Sequence, residues 1–237
     1  MKIIIITPAE PGSKAGNRAT AERWKSLLGN VGHRVSVHAW RSVRAIRQFR
    51  KTRPEKPLIV ALTGTDIYRH QQEFPQDTLY SITEADALIG LHELVANDIP
   101  AQFATKLVTL CQSAAGSEVY PLPQPAQANA GFGVCVIGHL REEKDSLRAA
   151  YAARLLPNDS TIRVLCAGKP HNGEWQKMAE REVEQNPRFR WLGELEQDEI
   201  RQLMANSQLM VISSVMEGGA NVVSEACRAG LPVIASG

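Results

Sequence analysis

Residues 213–226 read SSVMEGGANVVSEA and follow a short apolar run, Leu209 to Ile212. The apolar run predicts a buried strand, the paired glycines predict a tight turn, and the residues after them predict a helix. A strand, a glycine-rich turn and a helix in this order present backbone N–H groups to a phosphate. The segment therefore predicts an α/β unit that binds a phosphorylated ligand.

Two carboxylates flank this turn, Glu217 directly before it and Glu225 eight positions later. A carboxylate accepts paired hydrogen bonds from vicinal hydroxyls, so we expect Glu217 to bind a transferred sugar and Glu225 to bind a ribose. In the alternative, Glu217 only stabilises the helix N-terminus and Glu225 lies on a solvated face. The remaining residues expected to bind the diphosphate of a nucleotide sugar form the turn: Gly218, Gly219, Ala220 and Asn221.

Short apolar segments alternate with segments of helical spacing along the chain, which predicts α/β architecture with parallel sheets. Strands are expected at 2–7, 35–40, 58–63, 87–91, 107–110, 133–137, 162–167, 190–192, 209–213 and 233–235. Helices are expected at 17–28, 41–52, 146–155, 173–183, 198–204 and 221–229. In the first helix, Ala21, Trp24, Leu27 and Leu28 are predicted to share the buried face.

A stretch rich in Pro, Ala and Gln interrupts this pattern and is typical of a linker, with prolines at 121, 123 and 125. We expect an N-terminal domain at 1–115, a linker at 116–131 and a C-terminal domain at 132–237. Two doubly wound domains facing each other would place a cleft at the carboxyl ends of both sheets. The C-terminal domain is expected to be shorter than a full α/β domain, and a natural end and a fragment both remain open.

The composition favours a globular protein that acts on small molecules. Net charge is +2 over 237 residues, which gives no case for nucleic acid, and residues 1–110 carry the basic excess that suits an anionic substrate. The four cysteines form no Cys-x-x-Cys pair, and Cys135 and Cys166 lie in apolar runs as buried thiols. With no signal peptide and no membrane span predicted, we expect a cytoplasmic protein.

The segment that begins at Glu217 resembles the signature of glycosyltransferase family 4, E-G-x-G-x-x-x-x-E-A-x-A-x-G-x-P-V. Here Ala220 stands at the second glycine of the pattern and Arg228 precedes Ala229. The resemblance implies the GT-B fold, two Rossmann-like doubly wound domains, and a UDP-sugar donor held on the second domain. It also implies that Glu217 is a catalytic residue.

Residues 136–144, VIGHLREEK, resemble the G-R-L-x-x-x-K loop with which that family clamps the donor diphosphate. Lys144 matches the family's lysine, His139 stands in place of its arginine, and Arg141 is the nearest residue that could supply the missing charge. An ordinary charged loop is the alternative. No Asp-x-Asp pair is present, so we expect no metal and no cofactor; Lys144, Arg141 and a helix N-terminus would neutralise the leaving group.

The first half of the chain resembles a subgroup of that family, the selenosugar synthases of selenoneine biosynthesis. The most specific part is ALTGTD at 61–66, where Thr63 replaces a histidine that other members often carry. The resemblance implies that a UDP-sugar, UDP-N-acetylglucosamine in particular, donates its sugar to the selenium of selenophosphate. A carbon–selenium bond forms, and loss of the phosphate then gives a selenosugar.

Selenophosphate is already a strong nucleophile, so it needs cations and N–H donors more than a catalytic base. Asp66 is expected to act on the substrate or orient a nearby arginine; capping the next helix is the alternative. A loop-to-helix junction suits an anion, although a solvated helix start explains the same residues. The expected acceptor residues are Lys14, Gly16, Asn17, Arg18, Thr20, Thr63, Gly64 and Thr65.

Two other functions fit the same sequence: a family 4 enzyme with a hydroxyl acceptor, and a protein that binds a nucleotide sugar without turnover. The basic residues of the predicted helix 41–52 indicate a solvated face, and membrane contact is the less favoured alternative because no apolar Trp/Phe-rich face accompanies them.

Overall fold

The computed structural model describes residues 16–29, 36–37, 42–111 and 131–236, and the chain divides into two compact units. The first unit combines the described part of residues 1–113 with a short segment, Glu217–Asn221. The second unit combines the described part of 114–216 with the residues from 222 onward. The predicted strand 2–7 and the predicted linker residues 116–130 lie outside the described residues.

The first unit contains a sheet of parallel strands in the order β1-β2-β3-β4. Its strands are β1 (Ser36–Val37), β2 (Ile59–Ala61), β3 (Ala87–Gly90) and β4 (Leu107–Thr109). Its helices are α1 (Gly16–Gly29), α2 (Val43–Thr52), α3 (Gln71–Glu73), α4 (Pro75–Glu84) and α5 (Val95–Asp98). A π-helical turn, Asp66–His70, precedes α3, and a 3₁₀ helix, Ala101–Lys106, precedes β4.

The core of the first unit forms where the helices cover the sheet. Val60 of β2 and Leu88 of β3 are neighbours in the parallel register and are fully buried. Ile46 of α2 and Ile82 of α4 pack into the same cluster. One sequence expectation for α1 is wrong: Leu27 is 60% exposed, because the helix turns only Ala21, Trp24 and part of Leu28 toward the core.

The basic residues of α2 do more than face solvent. The Arg50 side chain is only 14% exposed, and its guanidinium lies 2.8 Å from the Asp86 carboxylate and 3.5 Å from that of Glu84. Arg47 pairs with Asp77 of α4 at 2.8 Å. The charges predicted to be solvated therefore join α2 to α4 and to the start of β3. None of the helices in the described part of the chain is long and apolar enough to cross a membrane.

The second unit contains a sheet of parallel strands in the order β7-β6-β5-β8-β9. The strands are β5 (Phe132–Ile137), β6 (Ile162–Ala167), β7 (Phe189–Trp191), β8 (Leu209–Ile212) and β9 (Val233–Ala235). The helices are α6 (Arg148–Ala153), α7 (Gly173–Gln185), α8 (Gln197–Ala205) and α9 (Asn221–Arg228), and a 3₁₀ turn, Glu142–Lys144, follows β5. The predicted α/β class is confirmed.

The order of the strands reverses direction beside β5. From β5 the chain builds outward to β6 and β7, then returns to add β8 and β9 on the other side of β5. In an open α/β sheet, ligands bind outside the carboxyl ends of the strands at such a reversal, because the two flanking loops diverge there. The loops that follow β5 and β8 are those in which the sequence places His139, Lys144 and Glu217.

Candidate active site

Backbone and side-chain hydrogen bonds join the loops that follow β5 and β8. The Ser213 hydroxyl donates to the carbonyl oxygen of Asp145 at 2.8 Å, and the Val215 N–H donates to that of Glu143 at 2.9 Å. These contacts hold the segment that leads to Glu217 against the 3₁₀ turn that ends at Lys144. Two segments far apart in the sequence thus meet at the edge where the sheet reverses.

The turn after β5 has an unusual backbone. Among the described residues, Asp145 is the one residue other than glycine with positive φ, at 43°. Its carboxylate accepts a hydrogen bond from Arg148 Nε at 2.6 Å. The left-handed conformation lets the chain enter α6 directly after the turn, and it leaves the half-buried Lys144 lying over Gly138. Lys144 therefore remains at the carboxyl end of β5, where the family resemblance expects it.

The double glycine at 218–219 packs tightly within the first unit. A Cβ atom on Gly218 would lie 2.8 Å from the Gly64 Cα, and one on Gly219 would lie 2.9 Å from the Leu91 Cβ. Neither position has room for a side chain. The structure therefore brings Gly64, expected on the acceptor side, and Gly218, expected on the donor side, into backbone contact.

Glu225 lies on a half-buried face of α9, not on a solvated one. Burial raises the pKa of its carboxyl group, while a hydrogen bond from Gln197 and the charge of Arg201 act in the opposite direction. A carboxylate held in this way is pre-positioned to accept hydrogen bonds. Glu217 is half-buried as well, in the segment Glu217–Asn221, and α9 begins at Asn221. Their expected roles toward a sugar and a ribose stay predictions.

Asp66 closes the turn that follows β2. It is fully buried, and its Oδ2 accepts hydrogen bonds from the Thr63 backbone N–H at 3.1 Å and the Thr63 hydroxyl at 2.9 Å. These are the contacts of the capping alternative, although they join Asp66 to the residue that replaces the family's histidine. Thr65 begins the π-helical turn, and Gly64 faces the Glu217–Asn221 segment. A catalytic role for Asp66 stays a prediction.

The remaining expected acceptor residues lie around the start of α1. The helix begins at Gly16 and includes Asn17 and Arg18, whose side chains are outside the described part. Thr20 is buried against the first unit. Lys14 lies outside the described residues.

His139 and Arg141 line one open cavity of about 190 Å³ with Lys169, Pro170 and His171. The pKa of His139 is lowered, first by burial and then by the charges of Arg141, Lys144 and Lys169, with Glu194 opposing them. Arg141 therefore lies beside the position at which the family carries arginine. Lys169 and His171 were missed by the sequence analysis; their signal is that they follow β6, directly beside β5 in the sheet.

A second missed group follows β2 and β3 in the first unit. The Tyr68 hydroxyl lies 3.0 Å from His92 Nε2, and the two rings stack with 6.3 Å between centroids. Burial raises the pKa of Tyr68 to about 12, together with the charge of Asp98 and a hydrogen bond to it. The sequence signal is again position after a strand, since the carboxyl ends of parallel strands meet at one edge. In the part of the chain that the structure describes, no His, Cys, Asp and Glu side chains group as a metal site.

Comparison with known proteins agrees with this geometry. Residues 125–237 match the family described as Glycosyl transferases group 1. A search of curated sequences gives no match.

Among solved structures, HepE of Anabaena in complex with UDP superposes with a TM-score of 0.72 at 15% identity, covering 99% of this chain and 80% of that chain. TarM of S. aureus, in complex with Fondaparinux, alpha-GlcNAc-glycerol and UDP, gives a TM-score of 0.64 at 16% identity, covering 89% of this chain. The chain spans 43% of the length of TarM. The likeness to these structures shows that the fold is GT-B.

Proposed function

We propose that this chain, whose second unit matches the group 1 glycosyltransferase family, transfers a sugar from a UDP-sugar donor. The observation that carries the proposal is the tie between the loops after β5 and β8. Hydrogen bonds from Ser213 and Val215 hold the approach to Glu217 against the turn that ends at Lys144. A cation and a carboxylate at a sheet reversal suit a ligand that carries both a diphosphate and sugar hydroxyls.

The charges of the second unit fit a mechanism based on electrostatic stabilisation. Breaking the bond between the anomeric carbon and the diphosphate oxygen leaves negative charge on UDP. Lys144 and Arg141 would stabilise that charge as it develops, and the backbone N–H groups at the start of α9 would add to their effect. Glu217 would bind the transferred sugar and Glu225 the ribose. We expect no metal in this mechanism.

For the acceptor we propose selenophosphate, with UDP-N-acetylglucosamine as the donor. The support is the resemblance of residues 61–66 to selenosugar synthases, together with the closed Thr63–Asp66 turn at the carboxyl end of β2. The selenium would attack the anomeric carbon, the carbon–selenium bond would form as UDP leaves, and water would then cleave the Se–P bond to release phosphate. Free thiols at all four cysteines suit a reducing, cytoplasmic setting.

The direct test is mass spectrometry of the products formed from selenophosphate and UDP-N-acetylglucosamine. We expect released UDP and a selenosugar with the isotope pattern of selenium. Glu217→Gln should abolish turnover, whereas Glu184→Gln, the same charge change on the exposed face of α7, should leave it intact. UDP release only with a hydroxyl acceptor would reject selenophosphate. Binding of a UDP-sugar without turnover under any acceptor would reject the enzyme.

A further inference from the structure

The cavity beside His139 is built by two loops that continue the pairing of β5 and β6 beyond the ends of the strands. The Leu140 N–H donates to the Lys169 carbonyl at 3.0 Å, and the His171 N–H donates to the Leu140 carbonyl at 2.9 Å. This pairing brings the side chains at 139 and 141 together with those at 169 and 171. The arrangement is fixed by backbone contacts, so it does not depend on a ligand.

Positive charge dominates the lining of this cavity. His139 and Arg141 are half-buried, while Lys169 and His171 stand on its exposed rim. Arg141 Nε is a buried donor that makes no hydrogen bond among the described residues, and its nearest carboxylate, Glu143, is 3.8 Å away. Cations gathered in this way repel each other, and an anionic ligand would relieve the repulsion. The donors present are those that bind phosphate.

The size of the cavity limits what it can hold. Complete small-molecule sites occupy roughly 300–1,000 Å³. At about 190 Å³ and open to solvent, this cavity suits one charged group of a larger ligand. It lies at the carboxyl ends of β5 and β6, the same edge of the sheet as Lys144.

We propose that Lys169 and His171, together with His139 and Arg141, bind a phosphate group of the donor nucleotide. The inference rests on the proposed function and adds two residues to it. The charge that the family places in one arginine is then divided here between the loops after β5 and β6. The pocket replaces one bidentate contact by several weaker ones, which explains how histidine is tolerated at position 139.

The test compares the binding of UDP and uridine by titration calorimetry. Lys169→Gln and His171→Gln should each weaken UDP binding by about tenfold, since each removes a hydrogen bond to a charged group, and should leave uridine binding unchanged. Lys169→Arg should restore UDP binding. Lys177→Gln, an exposed lysine of α7, is the matched control and should bind UDP as the wild type does. Both rim residues are exposed, so thermal unfolding should be unchanged.

The possible failures are distinct. If the wild type binds UDP, Lys144→Gln weakens that binding and the rim variants do not, the pocket is not a phosphate site and the proposed function stands. If the rim variants weaken uridine and UDP equally, the pocket does not act on the phosphate and the inference is overturned. If the wild type binds neither UDP nor a UDP-sugar, the proposed function itself is overturned.

Discussion

The backbones of Gly64 and Gly218 lie so close together that neither residue has room for a side chain. A Cβ atom on Gly64 would lie 2.8 Å from the carbonyl carbon of Glu217, and one on Gly218 would lie 2.8 Å from the Gly64 Cα. The glycine next to Glu217 therefore has a packing role in addition to any contact with a phosphate. The same contact fixes the start of the segment that carries Glu217.

Substituting Gly218 by alanine should destabilise the protein. Forcing a methyl group into a closely packed site typically costs about 1–3 kcal/mol, and here the neighbours are backbone atoms that cannot rotate away. Thermal unfolding of Gly218→Ala should show a clearly lowered Tm. Gly173→Ala is the control, because nothing lies within 4 Å of its Cβ position at the start of α7. Equal Tm values for both variants would contradict the packing.

The contact between Asp66 and Thr63 should appear as an energetic coupling. Thr63→Val keeps the shape but removes a hydroxyl that donates to a buried carboxylate, which should cost about 1–3 kcal/mol of unfolding free energy. Asp66→Asn should be destabilising too, and the double variant should lose less than the sum of the two single losses. Urea unfolding of all four proteins measures this. Strict additivity would mean that the two side chains act independently.

Glu225→Gln should stabilise the folded protein at neutral pH. Because the folded-state pKa is raised above its ordinary value of 4.5, the favourable contribution of Glu225 is present below that value and is lost as the pH rises through the raised pKa. The Tm of the variant should therefore exceed that of the wild type by more at about pH 7.5 than at about pH 4.

Glu184→Gln, on the exposed face of α7, controls for the change in net charge. If Glu225 also binds the ribose, its variant should combine higher stability with weaker UDP binding. A stability difference that does not change with pH would count against burial as the cause of the raised pKa.

The four cysteines should separate into two classes by reactivity. Burial raises the pKa of Cys135 to about 11 and that of Cys166 to about 12, whereas Cys111 and Cys227 are exposed. Since the thiolate is the reactive species, Ellman's reagent should label two thiols rapidly in the native protein and all four in denaturant. Mass mapping should place the fast label on Cys111 and Cys227. Rapid labelling of Cys166 in the native protein would contradict the burial.

Strong local patterns predicted much of the secondary structure. The expected strands at 162–167 and 233–235 coincide with β6 and β9, because apolar runs bounded by polar residues have a single reasonable interpretation. The helix that follows the double glycine was predicted for the same reason. The π-helical turn at Asp66–His70 carries no periodicity that a short window could detect, and it was not predicted.

The sequence by itself determined the α/β class, the strand–turn–helix around Glu217 and the burial of Cys135 and Cys166, because each depends on residues close together in the chain. Only the tertiary structure decided the order β7-β6-β5-β8-β9, which makes β5 and β8 neighbours. That order brings Glu143 to Val215 and His139 to Lys169. Contacts between distant segments depend on how strands are added to a sheet, and no local spacing records this.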